Sequence, residues 1–133
     1  MFLLDTDAVS EFEKPTPNPG FLSWVESVDW LELYISVITV AELWEGISLL
    51  AASRKRRSLE AMFDLLPDRF HNRILSVDYS VAIRFGNIQA QAGPLPVLDT
   101  LIAATALTRR LTVITHNTVD MARTGASVLD PWS

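Results

Sequence analysis

Asp5, Glu42, Asp99, Asn117 and Asp120 are the side chains of this sequence whose chemistry could be pooled at one place. All of them offer oxygen. A set of carboxylate and amide oxygens suits a hard divalent cation such as Mg2+ or Mn2+, which takes near-octahedral oxygen coordination and retains waters. Carboxylates brought together repel one another, and a bound cation relieves that repulsion. A cation held in this way lowers the pKa of a water and stabilises charge on a phosphoryl group, so phosphodiester hydrolysis is the natural chemistry. Other chemistries are closed off. The chain has no cysteine, which excludes disulfides, thiolate metal sites and cysteine nucleophiles. His71 and His116 are its two histidines, too few for a three-histidine zinc site.

Pooling these oxygens requires a scaffold that brings distant segments to one edge. Short apolar runs alternate with longer helical patterns along the chain. Strands are expected at 2–4, 33–36, 74–77, 111–115 and 127–129. Helices are expected at 7–12, 21–28, 39–52, 54–66, 78–92 and 97–110, the second entered through the proline-rich 15–20 segment, with proline tolerated in its first turn. Thr6 or Asp7 would cap the first helix, and Thr39 with Glu42 has capping-box spacing. Strands separated by helices imply an α/β fold, a parallel sheet of about five strands with helices on both faces. In such sheets ligands sit outside the carboxyl ends of the strands. Asp5 follows the first strand, Glu42 and Asp99 lie near helix starts, and Asn117 and Asp120 follow the strand that ends at Thr115. The candidates therefore converge on one edge.

Each candidate also has a plainer use. Asp5 could cap the next helix, although Asp7 is available for that, and Glu42 could be only the capping-box partner of Thr39. Asp99 is the only charged residue between Arg84 and Arg109, and it opens an almost wholly apolar helix. There it either finds a compensating partner or merely complements the helix dipole. Asn and Asp after a strand, as at 117 and 120, commonly cap helices.

The 133 residues suit a single domain over 1–133, with 49% of them hydrophobic and a core that needs no staples. The apolar stretches fall short of the roughly 20 residues of a membrane span, and no basic start precedes the first apolar run, so a cytoplasmic protein is expected. Eleven basic against 16 acidic residues give a net charge of -5. That argues against binding nucleic acid mainly by bulk electrostatics, though not against a protein that brings cations to the task.

The segments carrying these residues resemble the PIN-domain ribonucleases, specifically the VapC/FitB-like toxins of toxin–antitoxin pairs. The resemblance rests on Leu3-Leu4-Asp5-Thr6-Asp7-Ala8-Val9-Ser10-Glu11, on Ser36 to Leu43, on Pro94 to Ala106, on Leu111 to Asn117 and on the closing Val128-Leu129-Asp130-Pro131-Trp132. It implies a PIN-like three-layer sandwich and an endoribonuclease using Mg2+ or Mn2+, cutting RNA such as tRNA and inhibited by a cognate antitoxin. Asp5, Glu42 and Asp99 would hold the metal and position the attacking water. Asn117 would complete the catalytic set, with Asp7, Asp120 and Thr115 as secondary candidates. A homodimer, and a larger hetero-oligomer with the antitoxin, are implied as well. Two positions depart from the pattern. Asp7 stands where Asn is common, and His116 stands where Arg is common.

Arg54, Lys55, Arg56 and Arg57 form the one basic run, read either as a solvated helix start or as a rim for RNA or antitoxin. Arg84, Arg109 and Arg110 are further basic candidates with no motif around them. Trp24, Trp30, Trp44 and Phe63 are core or interface. Trp44, with the 54–66 helix, could form a groove for an amphipathic antitoxin helix. The competing function is a catalytically inactive PIN-fold partner-binding module, kept open by Asn117 and His116. A receiver-like phosphoryl-transfer domain is disfavoured, because it needs a lysine after a late strand and Lys14 and Lys55 are the only lysines.

Overall fold

Parallel strands buried on both faces need apolar side chains at successive positions, and the first strand supplies them. In the computed structural model, which describes residues 1–133, β1 (Phe2–Leu4) is the middle of five parallel strands. The others are β2 (Leu33–Ser36), β3 (Ile74–Leu75), β4 (Thr112–Ile114) and β5 (Val128–Leu129), in the order β3-β2-β1-β4-β5. Alternation sorts the core. Leu4, Leu33, Ile35 and Ile114 pack on one face with Phe21, Met62, Leu66 and Phe70. Leu3, Leu75 and Val113 pack on the other with Ile102, Ala103, Ala106 and Met121.

The helices are α1 (Thr6–Glu11), α2 (Pro19–Ser27), α3 (Val37–Ser48), α4 (Arg54–Asp64), α5 (Leu66–Arg69), α6 (Tyr79–Ala92), α7 (Val97–Arg109) and α8 (Thr118–Ala122). The strand order reverses between β1 and β4: the chain leaves β1 toward β2 and β3, then returns to β1's other side. A crevice opens at such a reversal, beyond the carboxyl ends of the two strands. Asp5 and Thr115 stand there. No helix is long and apolar enough to cross a membrane.

Three local readings need correction. Asp5, not Thr6 or Asp7, caps α1, its Oδ1 accepting from the Ala8 N–H at 2.9 Å. Ser36, not Thr39, caps α3, so that helix covers 37–48 and Thr39 is buried within its first turn. The expected 54–66 helix ends at Asp64, and Pro67 sits in the first turn of α5 instead of closing the helix before it. The strands at 74–77, 111–115 and 127–129 pair over fewer residues than their apolar runs suggest.

Two buried charges were not singled out by sequence. Arg73 gives its guanidinium to the carbonyls of Trp30 (2.9 Å), Leu33 and Arg69 (2.8 Å), fixing the approach to β2 and β3. Glu11 accepts from the Trp132 indole (2.8 Å), the Asn18 N–H (2.9 Å) and Lys14 (3.0 Å). The tail is further held by reciprocal bonds between Asn18 and Ser133. Gly20 lets it lie close, since a Cβ there would stand 2.7 Å from the Pro131 carbonyl.

Candidate active site at the carboxyl edge of the sheet

Asp5 reaches the site because β1 ends one residue before it, its N–H still bonded to the Ile114 carbonyl at 3.1 Å. Only 6% of it is exposed. Burial pushes its carboxyl up from the ordinary 3.8 to about 6, against the downward pull of the Thr115 hydroxyl and the Ala8 N–H, with the charges of Asp7 and Asp99 adding to the rise. Asp99, in the first turn of α7, is also raised, first by burial and then by Asp7 and Asp120. Four carboxylates thus share one field: Asp5, Asp7, Asp99 and Asp120. They come from the end of β1 and from the first turns of α1, α7 and α8.

Asn117 precedes α8 without capping it by side chain. Its amide lies 3.4 Å from Asp120, and its N–H donates to the Thr115 hydroxyl at 3.0 Å. Thr115 therefore links Asp5 to Asn117. His116 turns away to pair with Asp130 at 3.2 Å and lies against the Trp132 ring.

Glu42, on α3, reaches α1. It is no capping-box partner: the Thr6 hydroxyl donates to it at 2.7 Å. The same Thr6 oxygen is 3.3 Å from the hydroxyl of buried Thr39. With its one proton on Glu42, Thr6 is left to accept from Thr39. Thr6, directly after Asp5, thus orients Glu42, a role the sequence signalled only by adjacency.

The chemistry of the donor set fits a hard divalent cation: oxygen donors only, two of them carboxyls raised above their ordinary range by burial and then by neighbouring negative charge. As they stand, no three His, Asp or Glu side chains are close enough to ligate one ion together. Mutual repulsion among ionised carboxylates opposes such closeness until a cation is bound.

The loop that delivers Asp99 is braced from α6. The Gln89 amide donates to the Leu95 carbonyl at 2.9 Å and its oxygen accepts the Leu95 N–H at 2.8 Å. Gln89→Ala removes both bonds. We expect a loss of about 1–3 kcal/mol in urea unfolding and faster hydrogen exchange at the Leu95 amide. Unchanged exchange there would show that the brace is not what holds the loop.

A groove of about 420 Å³ adjoins Glu42, between α1, α3 and α4. Leu43, Ile47, Leu59 and Met62 form its apolar lining, and the chain's two lysines, Lys14 and Lys55, both border it. Trp44 does not line it; the residue is 43% exposed and its ring packs on Phe63 with centroids 5.0 Å apart. The basic run is the solvated start of α4, and Arg56 is engaged there, bonded to Glu60 (3.2 Å) and the Leu50 carbonyl (2.7 Å). Arg54 and Arg57 are exposed. Trp24, Trp30 and Phe63 pack against the core.

The PIN domain family model matches residues 2–126. Toxin FitB of Neisseria gonorrhoeae is 36% identical over 99% of both chains. VapC ribonuclease Y4jK of Sinorhizobium fredii is 30% identical over 99% of this chain and 98% of its own. The crystal structure of FitAcB from Neisseria gonorrhoeae superposes with a TM-score of 0.92 at 35% identity, covering 99% of each chain.

Proposed function

Because the chain belongs to the PIN domain family, we propose that it is the toxin of a toxin–antitoxin pair and cuts RNA by metal-dependent hydrolysis of a phosphodiester bond. The observation that carries this reading is the coupled set of buried and half-buried carboxylates at the sheet's switch point, Asp5 and Asp99 foremost. The names of the similar FitB toxin and VapC ribonuclease support it. Residues 1–133 act as one PIN domain, in the cytoplasm, on structured RNA such as tRNA.

Asp5, Asp99 and Glu42 would hold Mg2+ or Mn2+, with Asp120, Asp7 and Asn117 as further oxygen donors. When bound, such a cation would supply a water of lowered pKa and stabilise charge on the phosphoryl group. The protein's own part is to hold these oxygens. The Ala8 N–H and the Thr115 hydroxyl fix the carboxylate of Asp5. Thr6 fixes one oxygen of Glu42 in the same way. Thr115 ties Asn117 to the end of β4, and Gln89 steadies the approach to Asp99.

The groove beside Glu42 has the form an amphipathic antitoxin helix needs: apolar lining for its buried face, with Lys55 at its border for an acidic flank. A helix there would lie directly against Glu42. Exposed Trp44, Leu49, Val97 and Leu98 provide apolar surface for a homodimer and for a larger hetero-oligomer with the antitoxin.

The test is cleavage of a labelled RNA transcript by the purified chain, with Mn2+ or with EDTA, alongside thermal unfolding in the same buffers. Cleavage should require the cation, and Mn2+ at a hundredfold excess over its Kd should stabilise the fold by about 2.7 kcal/mol. Absence of both cleavage and stabilisation would favour the inactive partner-binding module.

A further inference from the structure

The charge of -5 conceals a segregation. From Tyr79 to Ala126 the only acids are Asp99 and Asp120, both at the carboxyl edge, whereas the same stretch carries Arg84, Arg109, Arg110 and Arg123. All four arginines are exposed. Only Arg109 has an acidic partner, Asp78 at 3.4 Å, an exposed pair that neutralises little.

Two adjoining clefts, of about 400 and 330 Å³, lie where the segments that carry these arginines meet. Arg84 and Asn87 line both. Thr108, beside Arg109, lines the first, and Thr124, beside Arg123, lines the second. Tyr79 borders the first cleft, which Arg84 also lines, and is 82% exposed, an open aromatic ring. Arg110 sits at φ 59°, the left-handed cap of α7 where glycine is more at ease, so a long cation occupies a position whose backbone does not call for one.

We propose that this face, formed by α6, the end of α7 and the end of α8, is a docking surface for the phosphate backbone of RNA. The inference rests on the reading that the substrate is RNA. Uncompensated arginines match a polyanion, and an exposed tyrosine gives an unpaired base a stacking platform. Ten residues of α7 separate Asp99 from Arg109, about 15 Å along the helix axis, so the face lies well apart from the carboxylates. It also resolves a conflict: an edge of carboxylates repels the substrate it must cut, and a cationic face elsewhere on the same RNA offsets that repulsion. A second copy of this chain fits the face poorly, because a two-fold contact would set arginines against arginines.

The experiment compares wild type with Arg84→Ala/Arg110→Gly/Arg123→Ala, substitutions that suit an exposed helix, a left-handed cap and an exposed turn. Binding of a fluorescein-labelled hairpin RNA is followed in EDTA across a salt series. The triple variant should bind about tenfold more weakly, its log–log salt slope falling by roughly 2, or about 0.7 for each lost contact. Cleavage of a dinucleotide, too short to reach the face, should be unchanged. Wild-type affinity and slope in the variant would overturn the proposal while leaving the ribonuclease reading intact. A loss of self-association in the variant, by light scattering, would overturn it in favour of a copy-to-copy interface. A wild-type chain that neither binds nor cuts RNA would overturn both.

Discussion

Replacing Asp5 by Asn is expected to stabilise the metal-free protein near neutral pH by roughly 1–3 kcal/mol while lowering RNA cleavage a hundredfold or more. The two effects have one cause. The folded protein holds the Asp5 carboxyl at a pKa of about 6, chiefly through burial, against 3.8 for an ordinary aspartate. Between those values the folded state binds more protons than the unfolded chain, so stability falls as pH rises and the full penalty applies above about pH 6. Asparagine carries no charge to desolvate. It also keeps the helix cap, because its side-chain oxygen can still accept the Ala8 N–H. Asp5→Ala removes the same charge but loses that cap, and should fall about 1 kcal/mol below Asp5→Asn.

Urea unfolding in EDTA at pH 7.5 and at pH 4 separates the terms. The advantage of Asp5→Asn over wild type should be present at pH 7.5 and disappear at pH 4, where wild-type Asp5 is protonated when folded. A variant less stable than wild type at pH 7.5 would refute the burial argument. Excess Mn2+ should reverse the ranking, since a cation that binds the wild-type carboxylates stabilises only the chain that retains them. The unfavourable charge at the switch point is thus a stability deficit tied to function, of the kind that active sites commonly retain.

How legible was this in the sequence? The apolar runs at Phe2 to Leu4 and Leu111 to Thr115 revealed the central strands, and the alternation with helices revealed a parallel sheet. Polar residues placed just after strand ends pointed to the carboxyl edge, and Asp99 drew notice as a lone charge in an apolar helix. Cap identity was not legible. Thr39 and Ser36 are both good caps at similar spacing, and the difference lies in where β2 stops, which pairing with β3 decides. The engaged state of Arg56 was equally hidden, because the Leu50 carbonyl it binds becomes available only once α3 has ended at Ser48. Nearness to Glu42 suggests Trp44 for the groove, yet helical periodicity turns Leu43 and Ile47 inward and leaves Trp44 on the outer side. Long-range hydroxyl and carboxylate contacts, Thr6 to Glu42 across 36 positions and Glu11 to Trp132 across 121, have no local signature.

The last of those contacts carries the second large effect. Glu11→Ala should destabilise the protein by roughly 2–4 kcal/mol, because it leaves the half-buried Trp132 indole and Asn18 N–H without their acceptor. Glu11→Gln is no remedy: only one of its two side-chain atoms can accept, while three donors converge on Glu11. Burial by itself would raise the Glu11 carboxyl; the indole, the Asn18 N–H and Lys14 outweigh it and hold it below the ordinary 4.5. The pH dependence therefore runs opposite to that of Asp5. A depressed carboxyl contributes stability that is present above pH 4.5 and lost as acid protonates it. Acid first relieves Asp5 as pH falls through about 6, then removes the Glu11 contribution below about 4.5. The metal-free protein should accordingly be most stable near pH 5, by urea unfolding across a pH series. Glu11→Ala should abolish the acid-side decline and keep the alkaline one, and Asp5→Asn should do the reverse. If Glu11→Ala unfolds with the wild-type midpoint at pH 7, the tail is not anchored by this carboxylate.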